Sequence, residues 1–339
     1  HLCDRRQRQM CIRDRKYIIN IKLTQLLILN LDCMKKVLFA FAICFSSIGF
    51  AQVIDVASVK EVNIPANISA GFSTISPNGD YLLVTDFGKK GLHRYDLSTG
   101  EVKTISSAPG AGYDVKIMDD GNTVVYREAS FTKDNLRKTT LKSANLNTGA
   151  KSTIVKATRD LQGVTAKDGA VYTVENGKLA SKAVTSKQRG VSSTPVMSIN
   201  NGQLMMTRNG QTKTFSPNGT NVRYIWPSVS PDGTKVLYYV TGVGAYVCNL
   251  DGSNITSLGI VRAPKWYNNG IIIGMNDKDG EYDTIESSIV AVTADGKTRQ
   301  TLTGPSVIAM YPTASAKGDK ISFTTPVGKT YIINVNVKK

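Results

Sequence analysis

The sequence predicts an all-β fold, a β-propeller of four-stranded antiparallel blades. Three observations carry that prediction. Six glycine-closed turns recur along the chain. A second kind of turn alternates with four of them, giving a repeat of about 40–50 residues. No stretch of about 12 residues spaces its apolar side chains at the helical period of 3.6.

The first kind of turn is Ser76-Pro77-Asn78-Gly79, and it returns as Asp119-Asp120-Gly121, Lys167-Asp168-Gly169, Ser230-Pro231-Asp232-Gly233, Asn268-Asn269-Gly270 and Ala316-Lys317-Gly318. Proline presets φ at the first turn position, Asn and Asp tolerate the left-handed region, and glycine adopts positive φ freely. Each turn is followed by a strand-like run, such as Tyr81-Leu82-Leu83-Val84 or Val236-Leu237-Tyr238-Tyr239-Val240. These runs are apolar on both faces, so both faces must be covered. The second kind of turn, as in Tyr95-Asp96-Leu97-Ser98-Thr99-Gly100 and Cys248-Asn249-Leu250-Asp251-Gly252, ends one strand and starts a short polar one. Alternation of the two gives a four-stranded meander per repeat, which is a propeller blade. A β-sandwich also turns every 8–12 residues, but would not repeat one turn at one place in every unit.

The run Ser230-Pro231-Asp232-Gly233-Thr234-Lys235-Val236-Leu237-Tyr238-Tyr239 resembles the repeat of TolB-like β-propellers, a WD-type Ser-Pro-Asp-Gly pattern. It is also similar to the propeller of prolyl-oligopeptidase-type peptidases. The likeness spans residues 53–339, strongest at 76–97 and 226–252 and weakest at 160–220. It implies six blades. Seven is the alternative, reached if the hairpins at 169–177 and 202–210 are each a reduced blade. A strand near Val59–Ile64 is expected to pair with the last blade and close the ring, removing a free edge.

The chain has 339 residues with a net charge of +16. Its first 51 residues are set apart from the fold. Met34-Lys35-Lys36, the apolar run Val37–Phe45 and Gly49-Phe50-Ala51 read as a signal peptide over 34–51, cut after Ala51. The run is too short to span a bilayer. Met10–Arg15 resembles the translated read-through of a sequencing adapter, so residues 1–33 are read as non-native upstream sequence. Residues 52–339 then form a single propeller domain, expected to be periplasmic or secreted. The leader carries nine of the 42 Lys and Arg and three of the 26 Asp and Glu, which leaves +10 on the remainder. No run of more than two basic residues occurs there, and export argues against nucleic acid. Cys248 is the one cysteine left, read as a buried small hydrophobe, and no internal disulfide is expected.

Catalytic signatures are lacking. There is no Gly-x-Ser-x-Gly elbow, and His93, the single histidine after the leader, lies in a strand pattern. A zinc site needs several His or Cys ligands, and no phosphate-cradling loop occurs. The acidic stretch 275–286 offers Asp277, Asp279, Asp283 and Glu286 at calcium-loop spacing, but Met275 occupies the first ligand position, so it reads as a solvated hairpin and no metal or other cofactor is expected. The sequons at Asn67, Asn218 and Asn254 carry little weight for a bacterial export.

Aromatic and Pro residues recur about seven positions before the turn glycines, at Phe72, Tyr113, Trp226-Pro227, Trp266 and Tyr311-Pro312. Arg159, Tyr224 and Arg262 fall in the same lead-in segments. Inner strands line a propeller's channel and their lead-in loops converge on one face, so Tyr113, Arg159, Tyr224, Trp226, Arg262, Trp266 and Tyr311 form a candidate binding face of hot-spot composition. Proline after Trp226 is expected to hold that residue extended. The expected function is a monomeric, exported, non-enzymatic module that binds an envelope protein or peptide and does not span the membrane. The alternative is a propeller lyase or hydrolase, or a binding protein, acting on an envelope or dietary polysaccharide.

Overall fold

The computed structural model describes residues 52–185, 195–281 and 283–337. The leader segments 1–33 and 34–51 lie outside the described residues. Seven antiparallel sheets follow one another along the chain, and no helix occurs among the described residues. Blades 1 to 6 span residues 72–106, 116–158, 161–183, 196–214, 224–259 and 262–301. Blade 7 joins the strands of residues 310–335 to the N-terminal strand Val56–Val62. That strand pairs antiparallel with Thr330–Val335, and the pairing closes the ring.

The six-blade expectation drawn from the TolB resemblance is corrected to seven. The hairpins at 169–177 and 202–210 each form their own sheet, three-stranded among the described residues, rather than sharing one. Tight turns build each hairpin, and packing of Ala170, Tyr172 and Val174 on Val196 keeps the two sheets apart. Asp168 and Asn176, and likewise Asn201 and Asn209, all adopt positive φ directly before a glycine that does the same. Each strand pair is thus joined by its own tight turn.

The core lies between blades. Seven clusters of buried side chains match the seven contacts around the ring, such as Tyr81, Leu83, Val124 and Tyr126 between blades 1 and 2, and Leu237, Val247, Ile272 and Val290 between blades 5 and 6. In every blade but the fourth the second strand is buried on both faces; Tyr81–Thr85 is buried at all five positions. Tyrosine hydroxyls add sutures: Tyr81 donates to the Gly121 carbonyl at 2.7 Å, and Tyr267 donates to that of Gly318 in the same way. Cys248 is buried with burial pushing its thiol up to about 12. His93 pairs with Thr104 in a blade-1 strand and hydrogen-bonds its hydroxyl at 3.0 Å.

Candidate binding face

The chain crosses each blade in alternating directions, so the lead-in to an inner strand and the loop joining the second strand to the third lie on one face. The two faces differ sharply in chemistry. Twelve large hydrophobic side chains are exposed among the described residues. Nine stand on the lead-in face: Phe87, Phe131, Leu136, Val243, Ile285 and Val327 on the mid-blade loops, and Tyr113, Trp226 and Ile260 on the lead-in segments. The opposite face carries the glycine turns, whose tips are Asn78, Asp120, Asp168, Asp232, Asn269 and Lys317. Asn and Asp there cap the turn backbone; Asp96, for example, accepts from the backbone amides of Ser98 and Thr99 at 3.0 Å each.

A repeated β-bulge shapes the lead-in face. In blade 5, Ile225 pairs with Tyr239 and Ser228 with Leu237, so one extra residue stands on the inner strand. Blades 6 and 7 repeat it, with Arg262 and Lys265 opposite Met275 and Ile273, and Met310 and Thr313 opposite Thr324 and Ser322. A non-glycine residue takes left-handed φ in each bulge: Trp226 at 53°, Ala263 at 46° and Tyr311 at 53°. Proline follows all three, where its missing N–H costs the ladder nothing. Asp114 has φ 51° at the same place in blade 2. Proline after Trp226 therefore does not leave it extended. The bulge overrides that preference and turns the side chain out of the ladder.

Counting back from the turn glycines puts these residues in register. Seven before the glycine stand Phe72, Asp114, Trp226, Ala263 and Tyr311. Five before it stand Thr74, Lys116, Ser228, Lys265 and Thr313. Lys265 of blade 6 interacts electrostatically with Lys116 and Asp114 of blade 2 and with Lys89 of blade 1. Blades 2 and 6 meet only across the channel, so these side chains converge at its mouth.

Asp114 anchors the cluster. It pairs with Lys116 and accepts from Arg127 Nη1 at 2.8 Å, and Arg127 also donates to the backbone carbonyls of Tyr113 and Asp114 at 3.2 Å each. Arg127 lies over the Tyr113 ring, 5.4 Å from its centroid. Burial would raise the Asp114 carboxyl, but the nearby cations hold it below the usual carboxylate range. Lys265 is reached by water yet enclosed by the ring, and that enclosure, together with the Lys116 charge, lowers its pKa. Lys89 reaches from the blade-1 loop onto the face of Phe72, and burial, followed by the Lys265 charge, brings it down to about 7.

A second arc runs from blade 5 to blade 1. Trp226 meets Tyr239 edge-on with ring centroids 5.4 Å apart. Arg262 donates to Asp277 and Asp279 at 2.8 and 2.9 Å. Asp277 is buried, one of its oxygens lacks a hydrogen-bond partner, and burial raises its pKa. Its charge in turn adds to the burial that raises the Tyr311 hydroxyl. Tyr311 stacks obliquely on Phe72 at 4.7 Å, and Phe72 meets Phe87 at 6.2 Å. Gly71 permits this, because a Cβ there would come within 2.5 Å of the Phe87 backbone nitrogen.

Of the residues singled out from sequence, Tyr113, Arg159 and Trp226 are exposed on the lead-in face, while Arg262 and Tyr311 are half-buried in the second arc. Tyr224 lies elsewhere: it is fully buried between blades 4 and 5 and donates to the Gly219 carbonyl at 2.7 Å. Trp266 sits below the mouth, pairing with Ile272 and packing on the core between blades 5 and 6, and its Nε1 has no partner. The 275–286 stretch is a long hairpin in which Lys278 faces Glu286 and Asp279 faces Thr284. Asp277 and Asp279 share Arg262 instead of meeting Asp283 and Glu286. Among the described residues no group of three or more His, Cys, Asp or Glu is placed to hold a metal ion. No helix there is long and apolar enough to cross a membrane. Sequence reasoning missed Lys89, Asp114, Lys116, Arg127 and Lys265. The signal for Asp114, Lys116 and Lys265 was the two columns before the glycine turns.

No family model matches the chain, and no curated protein matches it. Among solved structures it is similar to an oligogalacturonate lyase in complex with manganese, at 14% identity and a TM-score of 0.46 over 78% of this chain and 76% of that one. An oligogalacturonate lyase from Vibrio parahaemolyticus gives 14% identity and a TM-score of 0.43, covering 78% and 77%. A chain of a mitotic checkpoint complex gives 11% identity and a TM-score of 0.50, covering 83% of this chain and 95% of that one. At such identities the likeness is one of fold, and the chain is a seven-bladed β-propeller.

Proposed function

We propose that this chain is an exported, non-enzymatic binding module that holds a protein partner of the cell envelope on its lead-in face. One observation carries the reading: nine of the twelve exposed large hydrophobic side chains stand on that face, around a basic channel mouth. Scattered singly, such residues would mean little; gathered on one face, they mark an interaction surface. Val243, Ile285, Leu136 and Val327 supply aliphatic contacts suited to another protein's side chains, while Tyr113 and Trp226 supply aromatic anchors. Asp114, Asp277 and Asp279 each already have an arginine partner, which suits positioning better than acid–base work.

The test compares faces. The chain is used to capture partners from envelope extract as wild type, as Phe131→Glu with Val327→Glu, and as Ile255→Glu on the opposite face. The reading expects one set of proteins to be lost only with the lead-in-face variant. Capture unchanged by that variant, or lost equally with Ile255→Glu, overturns it.

A further inference from the structure

We propose that the channel mouth is an anion pocket in which Lys89, Lys116 and Lys265 take a carboxylate of an acidic peptide segment presented by the partner. The proposal rests on the protein-binding reading above and names the chemistry of what enters the channel.

The charge count at the mouth does not balance. Lys116 and Arg127 both use Asp114. Arg262 uses Asp277 and Asp279. Lys265 has no hydrogen-bonded or ion-paired partner among the described residues, and Lys89 has only the Phe72 ring and the more distant charge of Asp86. Two ammonium groups thus stand unpaired in an enclosed place, near a third that is already paired. Cations gathered there repel one another, and a carboxylate arriving between them relieves that repulsion. Ammonium groups on flexible stems from blades 1, 2 and 6 can close on one anion from three sides.

The walls argue for a peptide over a free ion. Phe72, on which Tyr311 stacks, lies under Lys89, and the Tyr113 ring flanks Arg127. An acidic side chain on an extended segment places its carboxylate among the lysines and its methylenes against the rings. The aliphatic rim then receives the neighbouring residues of the same segment.

The experiment measures fluorescence anisotropy of two labelled, end-capped dodecapeptides that alternate leucine with glutamate or with glutamine. The glutamate peptide is expected to bind at least about tenfold more tightly than its glutamine counterpart, with affinity falling as salt rises. Lys265→Met and Lys89→Met are each expected to weaken it about tenfold, while Lys213→Met, on the outer strand of blade 4, leaves it unchanged. Neither channel variant is expected to lower the urea midpoint, because neither lysine holds an ion-pair partner; this readout separates lost affinity from lost folding. Competition by inorganic phosphate as effective as by the peptide overturns the peptide assignment in favour of a small-anion site. Equal binding of the two peptides, or binding indifferent to both lysine variants, overturns the pocket. The face-comparison capture then stands or falls separately, since Phe131 and Val327 lie outside the lysine cluster.

Discussion

Trp226 and Trp266, the two tryptophans of the chain, are expected to respond in opposite ways to truncation. Trp226 is 38% exposed, and its main contact is the edge-on pair with Tyr239. An aromatic pair contributes about 0.5–1.5 kcal/mol beyond area burial, so Trp226→Ala should cost about 1–2 kcal/mol in all. Trp266 is partly buried, pairs with Ile272 and packs on the core between blades 5 and 6. Truncating a buried large aromatic costs about 3–5 kcal/mol. Removing the unpaired Nε1 proton donor returns about 1 kcal/mol of that, leaving about 2–4 kcal/mol. With a urea slope of about 3 kcal/mol/M, the midpoints should fall by about 0.3–0.7 M and about 0.7–1.3 M. A third variant isolates the bulge. Trp226 holds φ 53°, where a side chain is strained by about 1–2 kcal/mol, so Trp226→Gly should be more stable than Trp226→Ala by about 0.5 kcal/mol after glycine's greater unfolded entropy is counted. The assay is equilibrium urea denaturation followed by far-ultraviolet circular dichroism. A midpoint for Trp226→Ala as low as that for Trp266→Ala would refute the assignment of one to the surface and the other to the core, and Trp226→Gly falling below Trp226→Ala would refute the bulge.

Two further outcomes are expected. Tyr81→Phe leaves the Gly121 carbonyl without its donor across the interface of blades 1 and 2, and should lower stability by about 1 kcal/mol in the same assay. Lys89, brought down to about 7, is half deprotonated near neutrality, when an ordinary lysine is deprotonated about once in 3,000 molecules, so it should dominate labelling by an amine-reactive ester at pH 7, read by peptide mass mapping. The sign of its pH effect follows from the same direction. Between about 7 and 10.5 the unfolded chain holds a proton that the folded chain has released, so stability rises with pH across that window. Lys89→Met should therefore gain stability over wild type at pH 6, and the gain should shrink towards pH 10.

The fold was legible because a propeller repeats its instructions. Ser76, Ser230 and Ser315 each accept from the amide of the glycine three residues on, at 3.0, 2.9 and 3.0 Å, and the shared turn is visible as Ser-Pro-x-Gly or its variants. Both-face-apolar runs such as Tyr81–Thr85 announced second strands clamped between neighbours. The number of blades was less legible. Blades 3 and 4 lack the second kind of turn, and a hairpin that pairs correctly does not say whether its neighbour shares its sheet or starts another. That choice is made by packing: Ala170, Tyr172 and Val174 of blade 3 bury against Val196 on the inner strand of blade 4, and so leave no shared ladder.

In blades 2 and 6 the site was read out of register, by one residue and by three, and the physical cause is the bulge. An inner strand with strict alternation would put residues of one parity on the channel and the other on the core. One inserted residue shifts that parity, as P-containing pairs such as Ala263-Pro264 do in blade 6. Choosing the nearest aromatic gave Tyr113 and Trp266, whereas the bulge position holds Asp114 and Ala263. In both blades the residue two places on is a lysine, and only in these two. Blades 2 and 6 differ from 1, 5 and 7 at both columns at once: no aromatic at the first, and a cation in place of Thr74, Ser228 and Thr313 at the second. Aromatic side chains of blades 5, 7 and 1 therefore stand beside the basic positions of blades 6 and 2, and the two lysines face each other across the channel. Lys116 has Asp114 as its ion-pair partner, but Lys265 has none and stands against the Lys116 charge. The sense of the pair lies in something negative that enters between them.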